Sequence, residues 1–277
     1  MITEHVQYWD SVAVEWQGER RDALWRAYCD AVHIELFSRW LPQTPIPRLL
    51  KTDLFDEAVS DGIIPFLSTR ARTVIGMDLS STTLREARSH SGGRRVTCTD
   101  VRRLPFADGS FDVVVSNSTL DHFAERREIV LSLRELYRVL RPGGQLLLTI
   151  DNLANPAIAV RNALPFHVLH HAGILPYYVG VTCGPRRLRR MLKEAELDIM
   201  DMTAIEHCPR LPAVLFARIM GGATSPSIRH VLVRLLMVFE QMADWPTRFL
   251  SGNFIAVRCR KHTPSAGRPQ TAHERTK

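Results

Sequence analysis

Between Arg21 and Leu41 the apolar residues Trp25, Tyr28, Val32, Leu36 and Trp40 recur at steps of three and four, one face of a helix that Pro42 stops. Tyr8, Trp9 and Trp16 precede it. From Leu49 the period changes to short apolar runs alternating with amphipathic segments, the pattern of strand–helix units around a parallel sheet. These runs predict strands near residues 48–54, 73–78, 95–98, 111–116 and 145–151. Ile129, Leu133, Leu136 and Leu140 predict a helix stopped by Arg141-Pro142-Gly143-Gly144, with the next strand following at once. After Asn152 the regularity loosens. A proline-punctuated apolar stretch up to Val181 reads as an insertion, GPRRLRRMLKEAEL as a helix and DIMDMTAIEH as a strand. Residues 212–240 read as further helix broken at Gly221-Gly222 and Pro226, and NFIAVRCR as a closing strand.

The expected organisation is therefore an N-terminal helical cap over 1–47 and an α/β domain over 48–261. Insertions interrupt that domain at about 155–182 and 209–248. The tail 262–277, rich in Pro, Ser, Thr, Gly and charge, is expected to be disordered. With 277 residues, 45% hydrophobic and 23% charged, one large domain suffices. The net charge of +7 raises the question of a polyanionic partner, but the basic residues are spread along the chain, as solvated helix faces would have them. Five widely separated cysteines without a CxxC spacing argue against a zinc site and for a reducing, cytoplasmic setting. No apolar run reaches the ~18 residues of a membrane span.

Candidate chemistry gathers at the predicted strand ends. VIGMDLSSTTLREAR is a strand ending in Asp78, followed by Ser80 or Ser81 as a helix cap. A carboxylate at the end of the second parallel strand is placed to accept both hydroxyls of an adenosine ribose; it is equally placed to cap the next helix. Asp121-His122 follows the fourth strand, and a histidine there can take a proton from a substrate hydroxyl or amine, with the adjacent carboxylate raising its basicity. His170-His171 has no third ligand at a recognisable spacing, so no metal site is expected. His207-Cys208-Pro209-Arg210 ends the presumed sixth strand, with buried packing as its expected role.

In VTCTDVRRLPFADGSFDVVVSNSTLDHF, an acidic residue is followed by a Leu-Pro-Phe turn, an Asp-Gly-Ser-Phe-Asp loop and a valine-rich strand running into Ser116-Asn117. Together with LYRVLRPGGQLLLTIDN, this resembles the class I S-adenosylmethionine-dependent methyltransferases, strongly over residues 48–152 and weakly over 184–260. The resemblance implies a Rossmann-like seven-stranded sheet, six strands parallel and the last antiparallel, flanked by helices. It implies S-adenosyl-L-methionine as cofactor and a small metabolite or natural-product intermediate as acceptor. In that reading Asp78 holds the ribose, Leu79 packs on the adenine, and Asp100 with the Val101 backbone receives the adenine amino group. Ser116 and Asn117 line the pocket facing the transferred methyl, and His122 is the candidate base. The Asn/Asp-Pro-Pro-aromatic motif of base methylation is replaced by Asn117-Ser118-Thr119-Leu120, which disfavours a nucleic-acid acceptor.

The departure lies in RLLKTDLFDEAVSDG. The family's first strand ends in an acid and a glycine-rich loop that lets backbone approach the cofactor. Here Lys51 stands at the acidic position, and Asp53, Phe55 and Glu57 replace glycines. Asp53 is expected to hold the cofactor's ammonium, while Asp56 and Glu57 occupy the first turn of the next helix, where the dipole favours negative charge. The alternatives are that the remodelled loop serves another ligand, or that the chain is a non-catalytic partner subunit.

Overall fold

A computed structural model of the chain describes residues 2–16, 22–90, 95–210, 212–214 and 226–263. Seven strands form one sheet: β1 (Ile46–Thr52), β2 (Ala71–Asp78), β3 (Arg95–Cys98), β4 (Phe111–Asn117), β5 (Leu140–Asp151), β6 (Leu197–Ile205) and β7 (Phe254–Lys261). Their order is β3-β2-β1-β4-β5-β7-β6, with β7 antiparallel to both neighbours and the other pairs parallel. The seven-stranded α/β fold expected from the sequence is thus the observed one. The chain leaves β1 for β2 on one side and later crosses to β4 on the other, which makes the carboxyl ends of β1 and β4 the crevice where open α/β sheets take ligands.

Alternation along the strands divides the core. Val113 and Val115 of β4 point to the layer containing helix α2 (Ala23–Trp40), whose predicted stripe of Trp25, Tyr28, Val32, Leu36 and Trp40 is buried. Val114 points to the opposite layer, where α6 (Arg126–Val139) contributes Ile129, Leu133 and Leu136. The segment 1–47 therefore splits: α2 is part of the sheet's core, while α1 (Ile2–Glu15) borders a cavity and bonds to Ser80 and Thr82 just past β2. Arg141–Gly144 does not separate helix from strand as predicted. Leu140 already pairs with Phe111, and the ladder resumes at Gln145 opposite Val113 after a register shift. Gly143 takes φ +76 in that irregularity, and a Cβ on Gly144 would meet the Arg141 carbonyl at 2.8 Å.

The insertion after β5 forms α7 (Pro156–Ala163) and α8 (Phe166–His171), followed by α9 (Pro185–Glu194). Beyond β6 the described part of the second insertion contains α10 (Pro226–Met237); Gly221-Gly222 and the tail from 264 lie outside the described residues. Among the described residues no helix is long and apolar enough to cross a membrane.

The altered first loop is organised by a buried ion pair. Lys51 and Glu57, in α3 (Phe55–Val59), are 0% and 2% exposed. Lys51 Nζ donates to Glu57 Oε2 at 2.8 Å and to the Asp53 carbonyl at 2.6 Å. Glu57 Oε1 accepts from the Ile63 and Ile64 amides, fixing the start of α4 (Ile64–Arg70). Asp56 and Glu57 do occupy the first helical turn, as expected, but Glu57 is inside the protein. Gly62, at φ +58, is required there because a Cβ would come within 2.5 Å of Glu57 Oε1. Burial alone would push the Lys51 ammonium down, but Glu57 and Asp53 more than offset it and hold it above its ordinary value.

Replacing Lys51 by Met leaves the Glu57 carboxylate buried without its cation, and we expect a loss of about 3–5 kcal/mol in urea unfolding. Lys51→Met combined with Glu57→Met should recover most of that loss. A double variant no better than Lys51→Met would show that packing, not charge, sets the cost.

Candidate active site

A cavity of about 200 Å³ lies at the carboxyl ends of β1, β2 and β4. Helix α1 and the insertion form its roof. Asp10 of α1 accepts from Ser80 Oγ at 2.5 Å and from the Thr82 amide at 3.1 Å, and the Tyr8 hydroxyl accepts from the Tyr178 amide at 2.6 Å. Ser80 is also the cap of α5 (Ser81–His90), accepting from the Thr83 amide. Under this roof the rings of Trp9, Trp16, Phe55, His122 and Tyr177 form a continuous aromatic wall, with centroid separations from 4.8 to 6.3 Å.

Most of the residues named from the sequence border this cavity: Asp53, Asp78, Leu79, Asp100, Val101, Asn117 and His122 do. Asp53 takes φ +67, a left-handed conformation at a position where the resembling family has glycine; Asp tolerates it better than most residues, and its Oδ1 accepts from the Phe55 amide at 2.8 Å. Burial and then the neighbouring Asp78 carboxylate push its carboxyl well up. Asp78 joins the two loops, accepting from Leu54 N through Oδ2 and from Ser80 N through Oδ1, both at 2.8 Å. Burial outweighs those bonds, and its carboxyl is pushed up to about 6. The Asn117 amide oxygen is buried without a hydrogen-bond partner.

Two expectations change. Ser116 does not border the cavity: it is fully buried, and its hydroxyl accepts from Thr52 Oγ1 at 2.9 Å, tying β4 to β1. Side chains alternate along a strand, so Asn117 faces the cavity and Ser116 cannot. Asp100 borders the cavity but is already engaged by an arginine rather than standing free for an adenine amino group. Arg102 donates to it through its amide, Nε and Nη2 at 2.6–3.0 Å, three N–H groups on a carboxylate with about four lone-pair sites. An arginine two residues after an acid looks like solvated surface in a sequence.

His122 Nδ1 lies 3.0 Å from the Tyr178 carbonyl, which can only accept, so in the neutral ring Nδ1 carries the proton and Nε2 the lone pair. The expected help from Asp121 is weak, since its Oδ1 is 3.9 Å from Nε2. Asp121 is buried and instead receives the Asp151 amide and the Ser118 hydroxyl. Asn152 and Asn155 fasten the insertion to backbone carbonyls at 249–252. His170 and His171 bond to nearby carbonyls, and among the described residues no cluster suits a metal ion.

Sequence reasoning missed the far end of the cavity, where α2 meets the end of β6. His33 and Glu206 border it there, 7% and 2% exposed. His33 falls in the buried helix stripe and reads as core, and Glu206 is a lone acid at the end of a predicted strand, just ahead of His207–Arg210. Glu206 takes φ +57, and burial first, then Glu240, push its carboxyl up to about 8.

Residues 60–148 match the family model described as a methyltransferase domain, a match that begins just past the altered loop. A protein of Mycolicibacterium smegmatis described as a probable S-adenosylmethionine-dependent methyltransferase is 34% identical over 175 residues, 63% of this chain and 62% of its own. A malonyl-[acyl-carrier protein] O-methyltransferase of Erwinia billingiae is 35% identical over 112 residues, 36% of this chain and 43% of its own. The chain thus spans less than two thirds of these curated relatives. Among solved structures, an S-adenosylmethionine-dependent methyltransferase of Methanosarcina mazei superposes with a TM-score of 0.55 at 15% identity, over 82% of this chain and 97% of that one.

The raised carboxyls set a pH dependence. Asp30 of α2 is pushed up to about 8 by burial, then by Asp56 and Glu57, and Glu206 also to about 8. Between pH 6.5 and 8 the folded chain keeps protons that these groups have already released when unfolded, so stability falls as pH rises through that window. We expect the melting temperature to drop over it, and Glu206→Gln to flatten the drop in parallel melting scans. An unchanged slope would exclude Glu206 as a contributor.

Proposed function

We propose that this chain, whose residues 60–148 match a methyltransferase domain, is a class I S-adenosylmethionine-dependent methyltransferase whose cavity binds S-adenosyl-L-methionine and serves methyl transfer to a small-molecule acceptor. The carrying observation is the pair Asp53 and Asp78, which end β1 and β2 beside the switch in strand order and have no lysine or arginine side-chain partner among the described residues. A ligand with two ribose hydroxyls and an ammonium group answers both. Asp78 would accept the hydroxyls, and the Asp53 Oδ2, left open by the Oδ1 bond to Phe55, would accept the ammonium. Leu79 and Val101 would bracket the adenine, and the unpartnered Asn117 oxygen suits a buried donor from the ligand. Asp100 bounds that end as half of an ion pair.

When bound, the cofactor supplies an electrophilic methyl group on a sulfonium. The protein's own contribution is then to position the acceptor, exclude water and receive a proton. The aromatic wall does the first two, and the tautomer of His122 leaves Nε2 able to do the third. The names borne by the relatives and by the family model support this reaction; they leave the acceptor open.

Calorimetric titration with S-adenosylmethionine should give one site. Asp78→Ala should weaken it by about 1–3 kcal/mol, and Asp53→Asn should weaken it comparably. In a turnover assay, His122→Ala should cost about 10²–10⁴ in rate with cofactor affinity intact. A parent chain that takes up no S-adenosylmethionine would instead favour another ligand for the remodelled loop.

A further inference from the structure

Three carboxylates around the cavity are matched by guanidinium groups: Asp56 by Arg26, Asp100 by Arg102 and Asp151 by Arg161. Asp53, Asp78 and Glu206 make no such pair among the described residues. The cofactor accounts for the first two, and Glu206 remains. It sits at the end of the edge strand β6 rather than in the β1–β4 crevice, buried, in a left-handed conformation that costs a non-glycine residue about 1–2 kcal/mol. Such a conformation persists where the surroundings over-determine it, and it clusters at functional sites.

A second observation stands beside it. His33 Nδ1 is 2.9 Å from the Cys29 carbonyl, so Nδ1 is protonated and Nε2 presents a lone pair, and that Nε2 is buried with no hydrogen-bond partner. An unmet buried acceptor costs about 1–3 kcal/mol, which a ligand N–H or O–H would recover. Nδ1 lies 3.8 Å from Glu206 Oε1, so the two side chains meet at one end of one cavity.

Resting on the methyltransferase reading, we propose that Glu206 and His33 form the acceptor subsite, and that the acceptor class is a small amine that enters as an ammonium ion. The rings of Trp25 and Tyr177 border the same cavity, and a carboxylate beside aromatic surface suits an organic cation. Most of the charge facing Glu206 is negative. Glu240 binds the Glu206 and His207 amides from behind, and Asp56 adds to the field; Arg210 opposes them, and Cys29 hydrogen-bonds to the carboxyl. Of the guanidinium groups bordering the cavity, Arg26, Arg102 and Arg161 are already committed to Asp56, Asp100 and Asp151, and Arg210 acts on Glu206 itself. In the reaction Glu206 and His33 hold the amine, and the ammonium first gives a proton to His122 Nε2, the base assigned above. The freed nitrogen lone pair then forms the N–CH₃ bond while the C–S bonding pair stays on sulfur, and the imidazolium releases its proton to solvent.

Binding alone tests this. Benzylamine, benzyltrimethylammonium, benzyl alcohol and benzoate are titrated into the full chain by tryptophan fluorescence and calorimetry, with and without S-adenosylhomocysteine. Both cations should bind at least about tenfold more tightly than the alcohol or benzoate, the scale of one charge-assisted hydrogen bond or ion contact. The quaternary cation cannot titrate, so at pH 7 its binding should release close to one proton from Glu206, read from calorimetry in two buffers of different ionisation enthalpy. Glu206→Gln, isosteric with the protonated acid, should abolish both the preference and the release while leaving benzyl alcohol affinity unchanged. Should that variant fail to melt cooperatively, the proton release in the parent decides. Equal binding of alcohol and amine, tighter benzoate, no proton release, or no uptake of benzylamine at millimolar concentration each overturns the assignment. Cation preference without S-adenosylhomocysteine uptake would sink the methyltransferase reading alone; uptake without cation preference would sink the amine alone.

Discussion

The first loop depends on a lysine that has nowhere to go. Lys51 lies in the middle of the sheet, fully buried, and an isolated ammonium there would cost several kcal/mol. Glu57 makes the burial tolerable, and the geometry of that pairing dictates the course of the chain beyond β1. Glu57 must turn inward from the first turn of α3, its second oxygen must be met by the Ile63 and Ile64 amides, and Gly62 must leave room for it. Asp53 is held at positive φ between the strand and this pair, its carbonyl receiving the lysine and its carboxylate left at the cavity. A loop that glycines would shape by lacking side chains is shaped here by side chains that neutralise one another.

How much of this was legible depends on the range of the forces involved. Strands and helices came from periodicity, since burying one face is a local constraint repeated along the chain; the seven strands and the α2 stripe show it. Asp78 was legible as the end of a strand at the topological switch and Asn117 through the family resemblance, and both border the cavity. The failures involve partners distant in sequence or facing choices of one residue. Ser116 and Asn117 differ only in which side of the strand they occupy. Nothing local says that Arg102 will fold back onto Asp100, or that Glu57 will reach Lys51 instead of solvent. His33 and Glu206 are 173 positions apart, and only the sheet order brings them together.

The cavity is electrostatically uneven as a result. Its β2–β3 side has an acid tied to an arginine, its centre two carboxylates that share a field, and its β6 side a carboxyl that burial pushes up. A chamber with these properties holds strong electrostatic potential without many mobile charges, because low polarisability around buried groups preserves their fields.

The roof has a different character from the walls. Asp10 and Tyr8 latch α1 to the chamber's own rim through three hydrogen bonds, and among the described residues of this segment Val12, Ala13 and Trp16 are the buried apolar ones, against a sheet whose strands are packed on both faces. Such a segment opens by local unfolding at a free energy well below that of the whole domain. Solvent exclusion in this chamber is then a population rather than a fixed property: a small fraction of molecules stands open at any instant while the sheet beneath remains intact.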